Sequence, residues 1–180
     1  MKFSFDVKLT EKDYFEFNKF YLLRMKKHRT LSVVRIVLSV ILSILGLFVI
    51  LSDAYTLKFK IFYSVAILVF FLYFVFYKKI IEFSLKSTIK RLKKTGKLPF
   101  SPVATVEFYD DCFVSVTDTA RAESKISAIE KVSVVDNNTV YVHLSSVSAE
   151  IIPFSAFESE AQRKEFFEFI KSKSIEITEY

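Results

Sequence analysis

The chain has 180 residues, 52 % of them hydrophobic and 17 % aromatic, with 21 Phe, no Trp and a formal charge of +6. That length holds one modest domain beside a membrane anchor and little else. Two glycines, Gly46 and Gly96, exclude Gly-rich phosphate loops and long flexible linkers, and the lone Cys112 excludes internal disulfides and Cys-built metal cages.

Residues 1–30 are expected to form a strand and an amphipathic helix on the cytoplasmic side. Phe3, Phe5, Val7 and Leu9 alternate with Lys2, Ser4, Asp6 and Lys8, the period of a strand. Thr10-Glu11-Lys12-Asp13 then reads as a helix start, with Thr10 as N-cap. Tyr14, Phe17, Tyr21 and Met25 share one face of that helix, with Phe20 beside them. Two placements suit them: packing on a soluble domain, or lying in the headgroup layer with the basic end at 24–29 against lipid.

Residues 31–78 read as a transmembrane hairpin, with spans at about 33–52 and 59–77. Uncharged runs extend from Ile36 to Ser52 and from Ile61 to Tyr77, 17 residues each. Each gives about 26 Å of helix, brought to the roughly 30 Å of a bilayer core by flanking residues beyond Arg35 and Lys60. Ser39, Ser43 and Gly46 recur at i, i+4 and i+7, a small-residue face suited to close helix contact. Only Asp53 to Lys60 separates the runs, so both termini share a side. Cations crowd the outer ends of the hairpin, from Arg24 to Arg35 and from Lys78 onward, while the short loop holds only Lys58 and Lys60. The positive-inside rule therefore predicts cytoplasmic termini in a two-pass inner-membrane protein.

Residues 79–97 are expected to prolong the second span as a basic juxtamembrane helix. Residues 78–97 carry eight Lys/Arg against the single acid Glu82. Ile81, Leu85, Ile89 and Leu92 form an apolar stripe, Gly96 a C-terminal cap and Pro99 a stop. Lys78, Lys79, Lys86, Lys90, Arg91, Lys93 and Lys94 are candidate contacts for anionic headgroups of the inner leaflet. Their place beside a span accounts for the charge without nucleic acid.

Residues 98–180 reverse the balance, with seven Lys/Arg against fourteen Asp/Glu. Strands are expected at 103–109, 112–116, 121–127, 131–135, 139–144 and 149–152. Asp110-Asp111 and Asp136-Asn137-Asn138 serve as turns. A helix from Ser159 to about Lys173 offers Phe166, Phe167, Phe169 and Ile170 for packing. The fold class is thus an α+β membrane protein: a two-helix transmembrane hairpin plus a small antiparallel β-sandwich of PH-like plan, closed by a C-terminal helix. The strand at 3–9 is free to join that sheet.

Two stretches carry a family resemblance. One is Phe5-x-Val7 followed by Thr10-Glu11-x-Asp13-Tyr14-x-x-Phe17-Asn18. The other is Ile151-Ile152-Pro153-Phe154-Ser155-Ala156-Phe157, preceded by Ile129-x-Lys131-Val132. With the hairpin between them, the chain resembles the YcxB-like family of bacterial membrane proteins. The resemblance implies a PH-like cytoplasmic domain and no established activity, and Asp13, Tyr14, Phe17, Ile152, Pro153 and Phe157 carry over as structural motif residues. Ser127 and Ala128 stand where members often carry an aromatic.

No catalytic or metal-binding constellation is legible. His28 and His143 lack a second ligand at metal spacing, no G-x-S-x-G occurs, and Cys112 reads as a small core residue on an alternating strand. No Asp, Glu, Lys or His lies within the runs Ile36–Ser52 and Ile61–Tyr77, which argues against ion-coupled transport. The expectation is a non-enzymatic membrane-tethered interaction or scaffold module that needs no cofactor. Its partners would be the bilayer and a protein or a second copy. Bacteriocin or toxin immunity, or envelope-stress protection, is the alternative class.

Overall fold

The computed structural model describes every residue except Met25, Asp53, Lys97, Pro99, Ser146 and Val147, with the side chains of residues 26–32 and 35 also left aside. The expected roles of Met25, Lys97 and Pro99, and of the side chains of Lys26, Lys27, His28, Arg29, Leu31 and Arg35, therefore lie outside the described residues. The fold is α+β. It divides into two compact units: Met1–Phe17 with Leu92–Tyr180, and Asn18–Arg91.

The first unit holds two four-stranded sheets. Strand β1 (Phe3–Lys8) pairs antiparallel with β2 (Val103–Phe108), which continues through β3 (Cys112–Thr117) to β4 (Arg121–Lys125). The alternation legible in residues 3–9 is the reason: Phe5 and Val7 point into the core while Asp6 and Lys8 stay out. The second sheet runs in the order β7 (Ala149–Pro153), β6 (Thr139–His143), β5 (Lys131–Val135) and β8 (Ile177–Glu179). Asp136 and Asn137, at φ 49° and 48°, make the tight turn from β5 to β6, and Asn138 N–H donates to Val135 O at 3.0 Å. Two left-handed residues in sequence are the mark of a hairpin turn, and Asp and Asn tolerate them best among non-glycine residues.

Helix α4 (Glu160–Ser172) closes the core with Phe166 and Ile170, both fully buried. Ser159 is its N-cap, accepting from Gln162 N–H at 3.1 Å. Phe166 lies edge-on to Phe3, Phe5 and Phe108, with ring centroids 5.0–5.5 Å apart. One aromatic thus ties the first strand, the first sheet and the last helix together. One feature departs from a purely antiparallel sandwich. After α4, Ser174 at φ 60° turns the chain and β8 pairs parallel with β5.

The second unit contains α2 (Lys26–Leu51) and most of α3 (Leu57–Lys94), with the last six residues of α1 (Glu11–Leu23). Helix α3 is the one described helix long and apolar enough to cross a membrane. The other expected span, at about 33–52, lies on α2, whose described apolar stretch is Ile36–Leu51; Arg35 falls outside the described side chains. The helices pack closely at Gly46, where a Cβ would overlap Ile67 Cδ1 and stand 3.0 Å from Cγ1. Over residues 36–51 and 61–76 their remaining surface is largely apolar and exposed, with Phe48 and Phe62 each at 67 %.

Candidate functional site

The basic segment is a continuation of α3, because nothing helix-breaking occurs between Tyr77 and Thr95. Ile81, Leu85 and Leu92 are half-buried and Ile89 is buried, so the apolar stripe is the covered side. At 100° per residue, Lys79, Lys86, Lys90, Lys93 and Lys94 share the neighbouring face, and Lys78 and Arg91 flank it. All seven are exposed. Two local pairings modify the array. Lys93 Nζ lies 2.6 Å from Glu11 Oε1, at the start of α1, so this cation already has an acid beside it. Glu82, the only acid on the helix, pairs with Lys19 at 3.1 Å and stands one turn from Lys78, Lys79 and Lys86, at the edge of the lysine face. Gly96, at φ 68°, ends the helix, its N–H donating to Lys93 O at 3.1 Å.

The six motif residues hold elements together. Thr10 N–H and hydroxyl donate to Asp13 Oδ2 at 2.8 and 2.6 Å, and Asp13 N–H donates to Thr10 Oγ1 at 3.3 Å, a reciprocal cap on α1. Tyr14 stacks on Phe100 at 5.2 Å and Phe17 meets the Tyr141 edge at 5.1 Å. The partners of these two aromatics are Phe100, ahead of β2, and Tyr141 of β6, the packing that the first of the two placements expects. Ile152 is fully buried in the core, Pro153 precedes a short 3-10 turn over Phe154–Ala156, and Phe157 packs on Phe5 at 4.7 Å.

Chemistry-bearing side chains fall in three places. Ser133 and His143, at 0 % and 1 % exposure, are joined by a 3.0 Å contact between Oγ and Nε2. Burial lowers the imidazole pKa to about 4, helped by Lys131 across the hairpin, so the ring is neutral at pH 7. Sequence reasoning took His143 for an ordinary strand histidine and missed Ser133 as its partner. The signal was present: the turn at Asp136-Asn137 sets a register pairing Lys131 with His143, which puts Ser133 on the same face one step away. Glu150 faces the inter-sheet core, where burial raises its carboxyl pKa, and Ser115 Oγ lies 3.4 Å away.

Cys112 is not the core residue expected. Phe113 takes the inward position opposite Phe108, which turns Cys112 to the outer face. There it borders a shallow cleft of about 570 Å³ with Asp110, Asp111, Glu123, Lys125 and Lys173. Burial and Glu123 raise its thiol pKa, the opposite of an activated thiolate. Lys2, 2.8 Å away, holds Asp110 below the usual carboxylate range. Among the described residues no group of three or more His, Cys, Asp and Glu is placed to hold a metal ion.

These groups do not converge: Ser133–His143, Glu150–Ser115 and the Cys112 cleft lie on different faces of the sheets. No family model matches this chain, and no curated protein or solved structure matches it either.

Proposed function

We propose that the chain is a two-pass, membrane-anchored interaction module of YcxB-like type, which presents a PH-like domain to a protein partner in the cytoplasm. The carrying observation is the second unit itself. Two helices pressed together at Gly46 and Ile67 leave aliphatic and Phe side chains such as Phe48 and Phe62 bare on their outer faces. Contiguous apolar surface of that extent belongs against lipid, since water around it would carry a large hydrophobic cost. For an apolar stretch such as Ile36–Leu51, pairing with α3 and local thinning of the bilayer accommodate a short span at modest cost.

Topology follows from charge. Lys78, Lys79, Lys86, Lys90, Arg91 and Lys94 leave the apolar run on the cytoplasmic side and meet anionic headgroups there, each worth about 1 kcal/mol near the surface. Residues 98–180 carry twice as many acids as bases, so that same leaflet repels the domain they dominate. A basic or neutral protein surface is the better-matched partner. The PH-like reading draws support from the strand order, four strands, then three, then a closing helix, with the hairpin inserted after the first strand. The sealed Ser133–His143 pair and the raised Cys112 thiol favour a module without catalysis.

The test is photo-crosslinking of the full chain in native membranes, with the probe at exposed positions of the strand unit such as Glu123 or Glu158. A recurrent protein adduct at these sites supports the reading. Adducts to phospholipid alone would replace it with lipid recognition.

A further inference from the structure

We infer that the second unit holds one anionic glycerophospholipid, its chain in a groove between α2 and α3 and its phosphate at Lys78. The inference rests on the membrane placement proposed above. A cavity of about 410 Å³ lies between the helices, bordered by Ile36, Ser39, Phe70, Tyr73, Phe74 and Lys78. Its volume falls within the roughly 300–1,000 Å³ of small-molecule sites.

The small-residue face of α2 explains why the cavity exists. At Gly46 the missing side chain is replaced by Ile67 and the helices touch. Two turns nearer the cytoplasmic end, at Ser39, the facing side chains are Phe70, Tyr73 and Phe74, and the space stays open. Along α3 the groove extends from Lys78 to Phe70, about 12 Å at 1.5 Å per residue. It is cationic at one end, lined by Ser39 and Tyr73 in the middle and wholly apolar beyond. A phospholipid has the same order of chemistry over that distance.

Charge decides between a lipid and a second hairpin. Lys78 borders the cavity and is the cation at its mouth, whereas Lys79, 5.7 Å from the centroid of the Phe76 ring, lies round the helix from it. The one acid of α3, Glu82, is paired with Lys19. A second copy docked in parallel would bring a further lysine to this point, whereas a phosphate neutralises the one already there.

Native mass spectrometry of the full chain in mild detergent tests this, with phosphatidylglycerol, phosphatidylcholine or glycerol phosphate added. Phosphatidylglycerol should remain bound in preference to phosphatidylcholine, and glycerol phosphate should not bind. Ser39→Phe, which fills the groove, should weaken retention about tenfold, equivalent to 1.4 kcal/mol. Lys78→Ala should abolish the preference between the two lipids. Ile44→Phe, on a face 61 % exposed, adds the same bulk elsewhere and should change nothing. Equal retention by Ser39→Phe and the unaltered chain, equal loss in Ile44→Phe, a preference kept by Lys78→Ala, or binding of glycerol phosphate would each overturn the site. Alkaline carbonate extraction separates the two levels: release of the unaltered chain from membranes refutes the membrane placement and the site with it, whereas a retained chain with any of those lipid results refutes the groove alone.

Discussion

His143 shows how a single residue escapes a reading by spacing. Its alternation partners Val140 and Val142 are core residues, yet His143 itself stands on the opposite face, which is buried too. A sheet covered on both sides loses the in-out contrast that makes strands legible. The consequence is a measurable pH dependence. With a native pKa of about 4 against 6.5 unfolded, the unfolded chain binds a proton between those values that the folded chain refuses. Stability should fall by about 3 kcal/mol as pH drops from 7 to 4, at about 1.4 kcal/mol per pKa unit, and level off below. Glu150, raised by burial, works in the other direction: protonating it favours the folded state as pH falls through its native pKa. Comparison with His143→Gln isolates the imidazole, and parallel pH profiles for the two chains would refute this account. Phe166 offers a pH-independent counterpart. It touches Phe3, Phe5, Phe108 and Phe157, so Phe166→Ala should cost about 3–5 kcal/mol in denaturant unfolding of the full chain. A loss below about 1 kcal/mol would mean that the site collapses around the smaller side chain.

At the scale of elements, most boundaries were legible because their punctuation is physical. Thr10 and Asp13 cap α1, Ser159 caps α4, Gly96 ends α3, and Asp136-Asn137 turns β5 into β6. The predicted strand at 121–127 is shorter, ending at Lys125, because Ile126–Ala128 forms a 3-10 turn that sends Ile126 into the core. Strand β8 was not legible. Ile175 and Ile177 alternate with Glu176 and Thr178, but three paired residues and a parallel partner leave no periodic signal long enough to recognise. The inclusion of β1 has the sharper consequence. Every residue from Phe3 to Lys8 has a partner on β2, so a fragment starting at residue 98 lacks an edge strand and the Phe3, Phe5 and Val7 side of the core. Such a fragment should not melt cooperatively, while the same fragment preceded by residues 1–9 through a short Gly/Ser linker should. Differential scanning calorimetry reads the difference, and a cooperative transition in the shorter fragment would contradict the strand's role.

For the whole molecule, charge segregation and the two uncharged runs were the informative features, since both report the solvent rather than any particular contact. They carry the topology proposed above, in which the segment joining α2 to α3 lies outside and the strand unit inside. Site-directed thiol labelling tests it most directly. In a Cys112→Ser background, single cysteines at Ala54 and at Lys125, both exposed, are treated with a membrane-impermeant maleimide in intact protoplasts. The account predicts immediate labelling at position 54 and labelling at position 125 only after the membrane is permeabilised. Labelling at 125 in intact protoplasts, or protection at 54, would contradict it.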